Sequence, residues 1–295
     1  MEKRLWFLSI CLMIIIILLF VINYSWLDKI TGEAVGSSEI PGGEFEKFRR
    51  DMPTEVNSNI NEAKTFTIAN WNMDVFGKKK ANDQELMNLY ASIISNYDII
   101  FLQEIRDNSG ESFKRLCSLL VSYDCNISSR AGRSTNKEQV GIIYRKGIKI
   151  INFTDFNPDV LDRWERPPIE VRFNVDGYKL SVYNIHTKPT NASIELTNLD
   201  SLVPDYGDTI VIGDLNADCG YFNHGKEDQF NKWNWIISDS DDTSTSESSC
   251  AYDRIIINDN AKNEFEYYGI FNKSIDKNVS DHYLVWAEFK IKNNS

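Results

Sequence analysis

From Leu5 to Tyr24 the chain is almost wholly apolar and includes the run Ile14-Ile15-Ile16-Ile17-Leu18-Leu19-Phe20. No other feature constrains the chain as strongly, because about 20 consecutive apolar residues suffice for a helix to cross the hydrocarbon core of a bilayer. Lys3 and Arg4 precede the run, and basic flanks stay on the cytoplasmic side. The sequence therefore predicts a cytoplasmic N-terminus at 1–4, a transmembrane signal anchor at 5–25, and an extracytoplasmic remainder. A cleaved signal peptide usually has an apolar region of only ~7–15 residues followed by a small-residue cleavage site. No Ala-x-Ala follows here, which favours an uncleaved anchor and a single-pass cell-membrane protein. Cleavage would make the same remainder a secreted protein.

Residues 26–62 read as a stalk. Thr31-Gly32-Glu33-Ala34-Val35-Gly36-Ser37-Ser38 and Pro41-Gly42-Gly43 have linker and turn composition, with a short charged helix expected from Glu44 to Arg50. The segment 63–295 then suits one large domain, since no repeat and no second linker divides it. Of five cysteines, Cys11 lies in the apolar run, leaving Cys117, Cys125, Cys219 and Cys250. In an oxidising compartment an even set of four can form two disulfides, and three pairings are open. Spacing alone favours Cys117–Cys125. The net charge of −11 argues against a protein that coats DNA, which draws on a basic surface. An enzyme that borrows positive charge from metal ions is less constrained.

Strand signals alternate with helical ones. Phe66–Trp71, Ile99–Leu102 and Thr209–Ile212 read as strands, and Ile169–Val175 with Tyr178–Ile185 flank the hairpin signal Asp176-Gly177. Asp253–Ile257 and Tyr283–Ile291 add two more, with helices expected at Asp83–Ser95, Glu111–Ser122 and Ala192–Leu202. Frequent hairpins favour an α/β domain on mixed, mostly antiparallel sheets over a doubly wound parallel one.

Several strands end in polar residues. Ile99–Leu102 runs into Gln103-Glu104, Thr209–Ile212 into Gly213-Asp214-Leu215-Asn216, and another strand into Asn184-Ile185-His186. Asn72 follows Trp71, and Ser280-Asp281-His282 precedes the last strand. Any one of these could be a turn residue. Five together, holding two of the chain's three histidines, point to one cleft with hard oxygen ligands suited to Mg²⁺ or Mn²⁺.

These segments resemble the endonuclease/exonuclease/phosphatase superfamily and, within it, deoxyribonuclease I. Further matching stretches are Arg106-Asp107, Gly132-Arg133, Lys137-Glu138, Arg166-Pro167-Pro168, His186-Thr187-Lys188-Pro189, Asn216-Ala217-Asp218-Cys219 and Cys250-Ala251-Tyr252-Asp253-Arg254. The resemblance implies a four-layered α/β sandwich of two packed sheets flanked by helices. It implies Glu104 as central metal ligand with Asn72 and Asp281 near the same ion, and His186 and His282 as an acid–base pair. Glu138 is then the partner of His186 and Asp253 that of His282. Asp214 and Asn216 orient phosphate, water or a second metal, and Arg106 and Arg166 contact substrate. It further implies the Cys219–Cys250 disulfide, and calcium held by oxygens of Asp242, Ser244 and Ser246. Where the family carries a tyrosine for the minor groove, two residues before Glu138, this chain has Asn136.

The leading expectation is thus a metal-dependent endonuclease acting on DNA, with a monomeric catalytic domain, a membrane attachment through the N-terminal helix and no protein partner. The alternatives are a sphingomyelinase-like or inositol-phosphate phosphatase of the same superfamily, which would show exposed apolar loops, and a non-catalytic binding module, which would show broken motifs. Lys78-Lys79-Lys80 reads as a solvated basic loop and His224 as a loop residue. Seven Asn-x-Ser/Thr sequons, beginning at Asn23, Asn126, Asn152, Asn191, Asn272, Asn278 and Asn293, offer glycosylation sites.

Overall fold

A computed structural model describes residues 64–291. The anchor, the stalk and the helix expected at Glu44–Arg50 lie outside the described residues. Among those described, no helix is long and apolar enough to cross a membrane.

Among the described residues, twelve strands form two six-stranded sheets. The first has the order β11-β12-β1-β2-β4-β3, built from β1 (Thr65–Phe76), β2 (Ile99–Ile105), β3 (Tyr123–Ile127), β4 (Gln139–Arg145), β11 (Phe265–Phe271) and β12 (Leu284–Lys290). The second has the order β5-β6-β7-β8-β10-β9, from β5 (Lys149–Asp155), β6 (Ile169–Val175), β7 (Tyr178–Asn184), β8 (Thr209–Asp214), β9 (Asn234–Trp235) and β10 (Asp253–Ile257). Each sheet has one parallel pair at its centre, β1·β2 or β7·β8, and is otherwise antiparallel. The mixed, mostly antiparallel arrangement expected from the hairpins is present.

Side-chain alternation, period two in a strand, builds the layers. Phe66 and Ile68 of β1, Ile99 and Phe101 of β2, Leu180 and Val182 of β7, and Ile210 and Ile212 of β8 share one buried cluster between the sheets. The intervening Ala69, Trp71, Ile100 and Leu102 face a second cluster with Met87, Tyr90 and Ile94 of helix α2 (Gln84–Ile94) and with Phe113 and Leu116 of helix α3 (Glu111–Leu119). On the other outer face Tyr183 and Val211 pack with Leu196 and Leu199 of helix α4 (Ala192–Leu202). Helices therefore cover both sheets. Each large apolar side chain buried this way contributes roughly 1.5–3 kcal/mol.

Local chemistry sets the element ends. Asp83 caps α2, its carboxylate accepting from Leu86 N at 3.0 Å. Asp107 does the same for α3 from three residues before its Gly110 cap, accepting from Ser109 N and Ser112 N, each at 3.0 Å. The helix expected to reach Ser122 stops at Leu119, where the chain turns back and the Cys117–Cys125 disulfide ties α3 to β3. The Cys219–Cys250 disulfide joins the loops after β8 and before β10. Lys78-Lys79-Lys80 is not a solvated loop. It belongs to helix α1 (Lys78–Ala81), and Lys80 turns inward to donate to the carbonyls of Met73 and Val279 at 2.8 and 3.0 Å. Buried carbonyls that lack strand partners need a donor of this reach.

Candidate active site

The period-two pattern that builds the inter-sheet core also ends it. The position that follows Ile68 on the inward face of β1 is Asn70, then Asn72; after Phe101 comes Gln103; after Val182 come Asn184 and His186; after Ile212 comes Asp214. All of these are buried. The polar residues therefore gather at one end of the sandwich, where the parallel pairs of both sheets end side by side.

An amide network joins the two sheets beneath the site. Gln103 Nε2 donates to Asn184 Oδ1 (3.1 Å) and to the Ile185 carbonyl (2.8 Å), while its Oε1 accepts from Asp214 N (2.9 Å) and Asn70 Nδ2 (3.2 Å). Asn184 Nδ2 returns to Asn70 Oδ1 at 2.8 Å. Gly213 permits this contact. A Cβ there would lie 2.1 Å from the Ile185 carbonyl oxygen, and its φ of +157° is strained for other residues. Alternation by itself would aim Glu104 outward with Leu102. Instead the register slips at Leu102/Ile105 and Glu104 takes φ +61°, an irregularity that re-aims its side chain into the cleft.

Around this floor stand two histidine–carboxylate dyads, each drawn from both sheets. His186, after β7, places Nδ1 2.6 Å from Glu138 Oε1, just before β4. His282, before β12, places Nδ1 2.7 Å from Asp253 Oδ2 at the start of β10. The two Nε2 atoms both face Asp214 Oδ2, at 3.2 Å from His186 and 3.6 Å from His282. Asn72 Nδ2 donates to the same oxygen at 3.1 Å and lies 3.5 Å from Glu104 Oε1. Asn216 Nδ2 donates to the Thr187 carbonyl at 3.1 Å, and its backbone N–H to Asp214 Oδ1 at 3.1 Å. Arg106 Nη2 lies 2.8 Å from Glu104 and 3.6 Å from Glu138. Arg166 Nε lies 3.5 Å from Glu138, and the guanidinium donates to the carbonyls of His186 and Thr187. Asp281 sits at the rim with its side chain 58% exposed, 3.8 Å from His282 Nε2.

Charge sets the proton affinities. Burial would lower the His282 pKa, but Asp253 and Asp214 outweigh it and push it up to about 10. His186 is likewise depressed by burial and raised by Glu138, with the Arg166 charge opposing the rise; the outcome is above the ordinary value. Burial raises Asp214, and the two imidazoliums overcome it to hold the carboxyl low. Glu138 is also held low, by His186, Arg166 and Arg106 against burial, whereas burial keeps Asp253 high.

A cation would find carboxylate and amide oxygens here. Ligand atoms of Glu104, Glu138 and His186 lie within 4.8 Å of one another. His186 Nδ1 is committed to Glu138 and its Nε2 faces Asp214, so imidazole is the weakest member of that set. Glu104, with the Asn72 side chain beside it, presents the hard oxygens that suit Mg²⁺ or Mn²⁺.

Asp242, Ser244 and Ser246 stand apart from this cleft's ligands. Asp242 Oδ1 accepts from Ser244 N (3.1 Å) and Cys250 N (3.3 Å), and Ser244 Oγ donates to Ser246 Oγ (2.6 Å). The segment also positions a dyad. Ser244 bridges His282, Tyr283 N donates to the Thr243 carbonyl, and Thr243 Oγ1 accepts from Asp253 N at 3.1 Å. Thr243 and Asn70 were not among the expected site residues, and Gln103, Asn184 and Ser280 were expected only as polar strand-end residues without individual roles. Ser280 Oγ donates to the Asn72 carbonyl and accepts from His282 N. An amide at an inward position of an apolar strand is the signal that could have found Asn70. His224 is a loop residue, bonded to Asp239.

A model of the endonuclease/exonuclease/phosphatase family matches residues 69–282. Deoxyribonuclease-1 of Gallus gallus is 30% identical over 231 residues, 70% of this chain and 82% of that protein. Deoxyribonuclease gamma of Homo sapiens is 26% identical over 274 residues, 79% of this chain and 88% of that protein. Among solved structures, a mannosyl-6-phosphatase of Bacteroides thetaiotaomicron superposes with a TM-score of 0.60 at 17% identity, covering 77% of this chain and all of that one. That likeness concerns the fold.

Proposed function

The chain belongs to the endonuclease/exonuclease/phosphatase family, and from that premise we propose that it is a metal-dependent endonuclease hydrolysing the phosphodiester bonds of DNA. It is a hydrolase of phosphodiester bonds. The observation that carries the finer reading is the pair of imidazoles, each oriented by a carboxylate on Nδ1, with both Nε2 atoms turned to the one oxygen of Asp214. In-line displacement at phosphorus needs a proton taken from water on one side and a proton delivered to the leaving oxygen on the other. Two such imidazoles flanking a scissile phosphate supply both transfers. Glu138 and Asp253 fix the tautomers and stabilise the cationic rings, as carboxylates do for histidine elsewhere.

In this reading Asp214, Asn216 and Asn72 orient the phosphate and the attacking water. Arg106 and Arg166 exchange their contacts with Glu104 and Glu138 for phosphate oxygens, a geometry the planar guanidinium fits. Glu104, with Asn72 and the rim carboxylate Asp281, would hold Mg²⁺ or Mn²⁺, which supplies positive charge to the phosphate when bound. In the same reading calcium would be held by oxygens of Asp242, Ser244 and Ser246, which one turn gathers through Asp242 Oδ1 accepting from Ser244 N and Ser244 Oγ donating to Ser246 Oγ. Two disulfides suit an extracytoplasmic location, and we place residues 63–295 there as the catalytic domain on a 26–62 stalk, tethered by the apolar segment at 5–25.

One observation favours the lipid alternative. Val160 and Leu161, 93% and 69% exposed, form an apolar loop tip. Two side chains fall well short of an amphipathic membrane-binding face. The test is nicking of supercoiled plasmid by the full-length chain with Mg²⁺ and with EDTA. Nicking that needs the metal supports the nuclease. No nicking, together with phosphocholine release from sphingomyelin vesicles, replaces it with the lipid enzyme.

A further inference from the structure

Beside the dyads lies a cleft of ≈ 490 Å³ whose lining includes Arg106, Arg133, Arg166 and Lys188, with Glu165 as its carboxylate. Four cations around one anion stand out on a chain of net charge −11. The four are not equivalent. Arg106 and Arg166 point to the dyad side, where Glu104 and Glu138 meet their charge. Lys188 and Arg133 stand at the far side and share Glu165, at 3.6 and 3.8 Å, both too long for hydrogen bonds. Arg133 has a second partner in Asp162, whose side chain is 77% exposed on the rim. Exposed pairs of this kind cost little to break.

The backbone beneath these side chains is fixed. The buried Glu195 carboxylate accepts from Glu165 N at 2.9 Å and from Lys188 N at 3.1 Å, clamping the two walls to helix α4. Arg166 bonds the Thr187 carbonyl immediately before Lys188. A flexible ammonium thus extends from a rigid base, two residues beyond the dyad histidine His186, into an open cleft continuous with the site.

We propose that Lys188, with Arg133 beside it, forms a second phosphate seat that takes a phosphate neighbouring the scissile one, so that the site is adapted to a polyanionic strand rather than to an isolated diester. The inference rests on the nuclease reading. Glu165 keeps Lys188 extended into the cleft until phosphate displaces it, while Asp162 holds the Arg133 guanidinium by hydrogen bonds of 2.9 and 2.7 Å. A phosphate contact adds affinity by releasing counterions, so its loss weakens binding and flattens the salt dependence.

The experiment compares wild type, Lys188→Ala and Lys188→Arg as full-length proteins on two substrates, supercoiled plasmid and bis(p-nitrophenyl) phosphate. Lys188→Ala is expected to raise KM for plasmid about five- to tenfold at ~50 mM salt, with a far smaller change on the small diester, and Lys188→Arg to restore most of the loss. The slope of log kcat/KM against log salt should fall by about one. Equal losses on both substrates, or an unchanged KM and salt slope on plasmid, overturn the seat while leaving the nuclease standing. If the wild type cleaves neither substrate, the nuclease reading itself has failed.

Discussion

The two dyads are built alike and charged differently. Their carboxylates occupy matching places in the two sheets, since Glu138 precedes β4 as Asp253 opens β10, and each strand lies next to the second strand of a central parallel pair. Each carboxylate reaches across to a histidine of the other sheet. Both are buried. Yet Glu138 is held below the ordinary carboxylate value and Asp253 above it. Arg106 and Arg166 stand beside Glu138, whereas no arginine or lysine ion pair to Asp253 occurs among the described residues. Both are raised by burial; the cations flanking Glu138, and the negative charge of Asp214 beside Asp253, separate the two. The comparison teaches that a topological repeat can deliver two similar proton carriers and then tune each by neighbours outside the repeat.

The strongest way to break the comparison is to remove each imidazole in turn. His186→Ala and His282→Ala should each lower plasmid nicking about 10³-fold with circular dichroism unchanged. A variant that keeps near-normal activity would show that only one dyad works. Glu104→Ala should abolish metal-dependent nicking to a comparable degree. Replacing the carboxylates sharpens the contrast: Asp253→Asn and Glu138→Gln should each cost about 10²-fold, and each should lower its histidine's pKa as read by ring-carbon NMR titration.

The amide network that holds the dyads in register comes next. Gln103→Ala leaves buried partners unsatisfied and should cost about 2–3 kcal/mol in denaturant unfolding, with activity falling as well. A smaller effect attaches to the raised His282 pKa. The folded protein holds this proton up to about 10, whereas an unfolded histidine releases it near ~6.5. The stabilisation is complete below that lower value and is lost as pH rises toward the upper one. Melting temperature in EDTA should therefore fall through this window, and His282→Asn should flatten the decline. The smallest effect is expected at a helix cap: Asp107→Ala removes the carboxylate that accepts from the first turn of α3 and should cost about 1 kcal/mol without altering the pH profile of nicking.

What was legible beforehand followed burial. The strands of strongest apolar pattern, β1, β2, β6, β7, β8, β10 and β12, stand out in the sequence, as do the three longer helices. The strands that escaped notice are β4 and the four sheet edges, β3, β5, β9 and β11. An edge strand in this molecule is only partly buried, as in β5 and β11, so its alternation is blurred by exposed apolar residues such as Ile151, Tyr267 and Tyr268. The polar residues at strand ends were visible because they interrupt apolar runs. Thr243 was not, because a hydroxyl in a polar loop looks like any other turn residue until its partner is known.

By itself the sequence determined which residues could carry the chemistry, since carboxylates, amides and two histidines fall where apolar periodicity stops. It also supplied the apolar N-terminal segment and the even set of cysteines. Residue pattern alone did not decide which carboxylate serves which histidine; the family resemblance supplied the pairings, and the tertiary structure shows them made. The reason is that each dyad spans two sheets, with Glu138 and His186 48 positions apart in the chain and Asp253 and His282 29 positions apart. No local pattern records a contact made across an interface. The irregularity that turns Glu104 inward and the glycine that lets Gln103 reach the second sheet are likewise properties of packed strands, where backbone approach distances, and not residue type alone, set the geometry of the cleft.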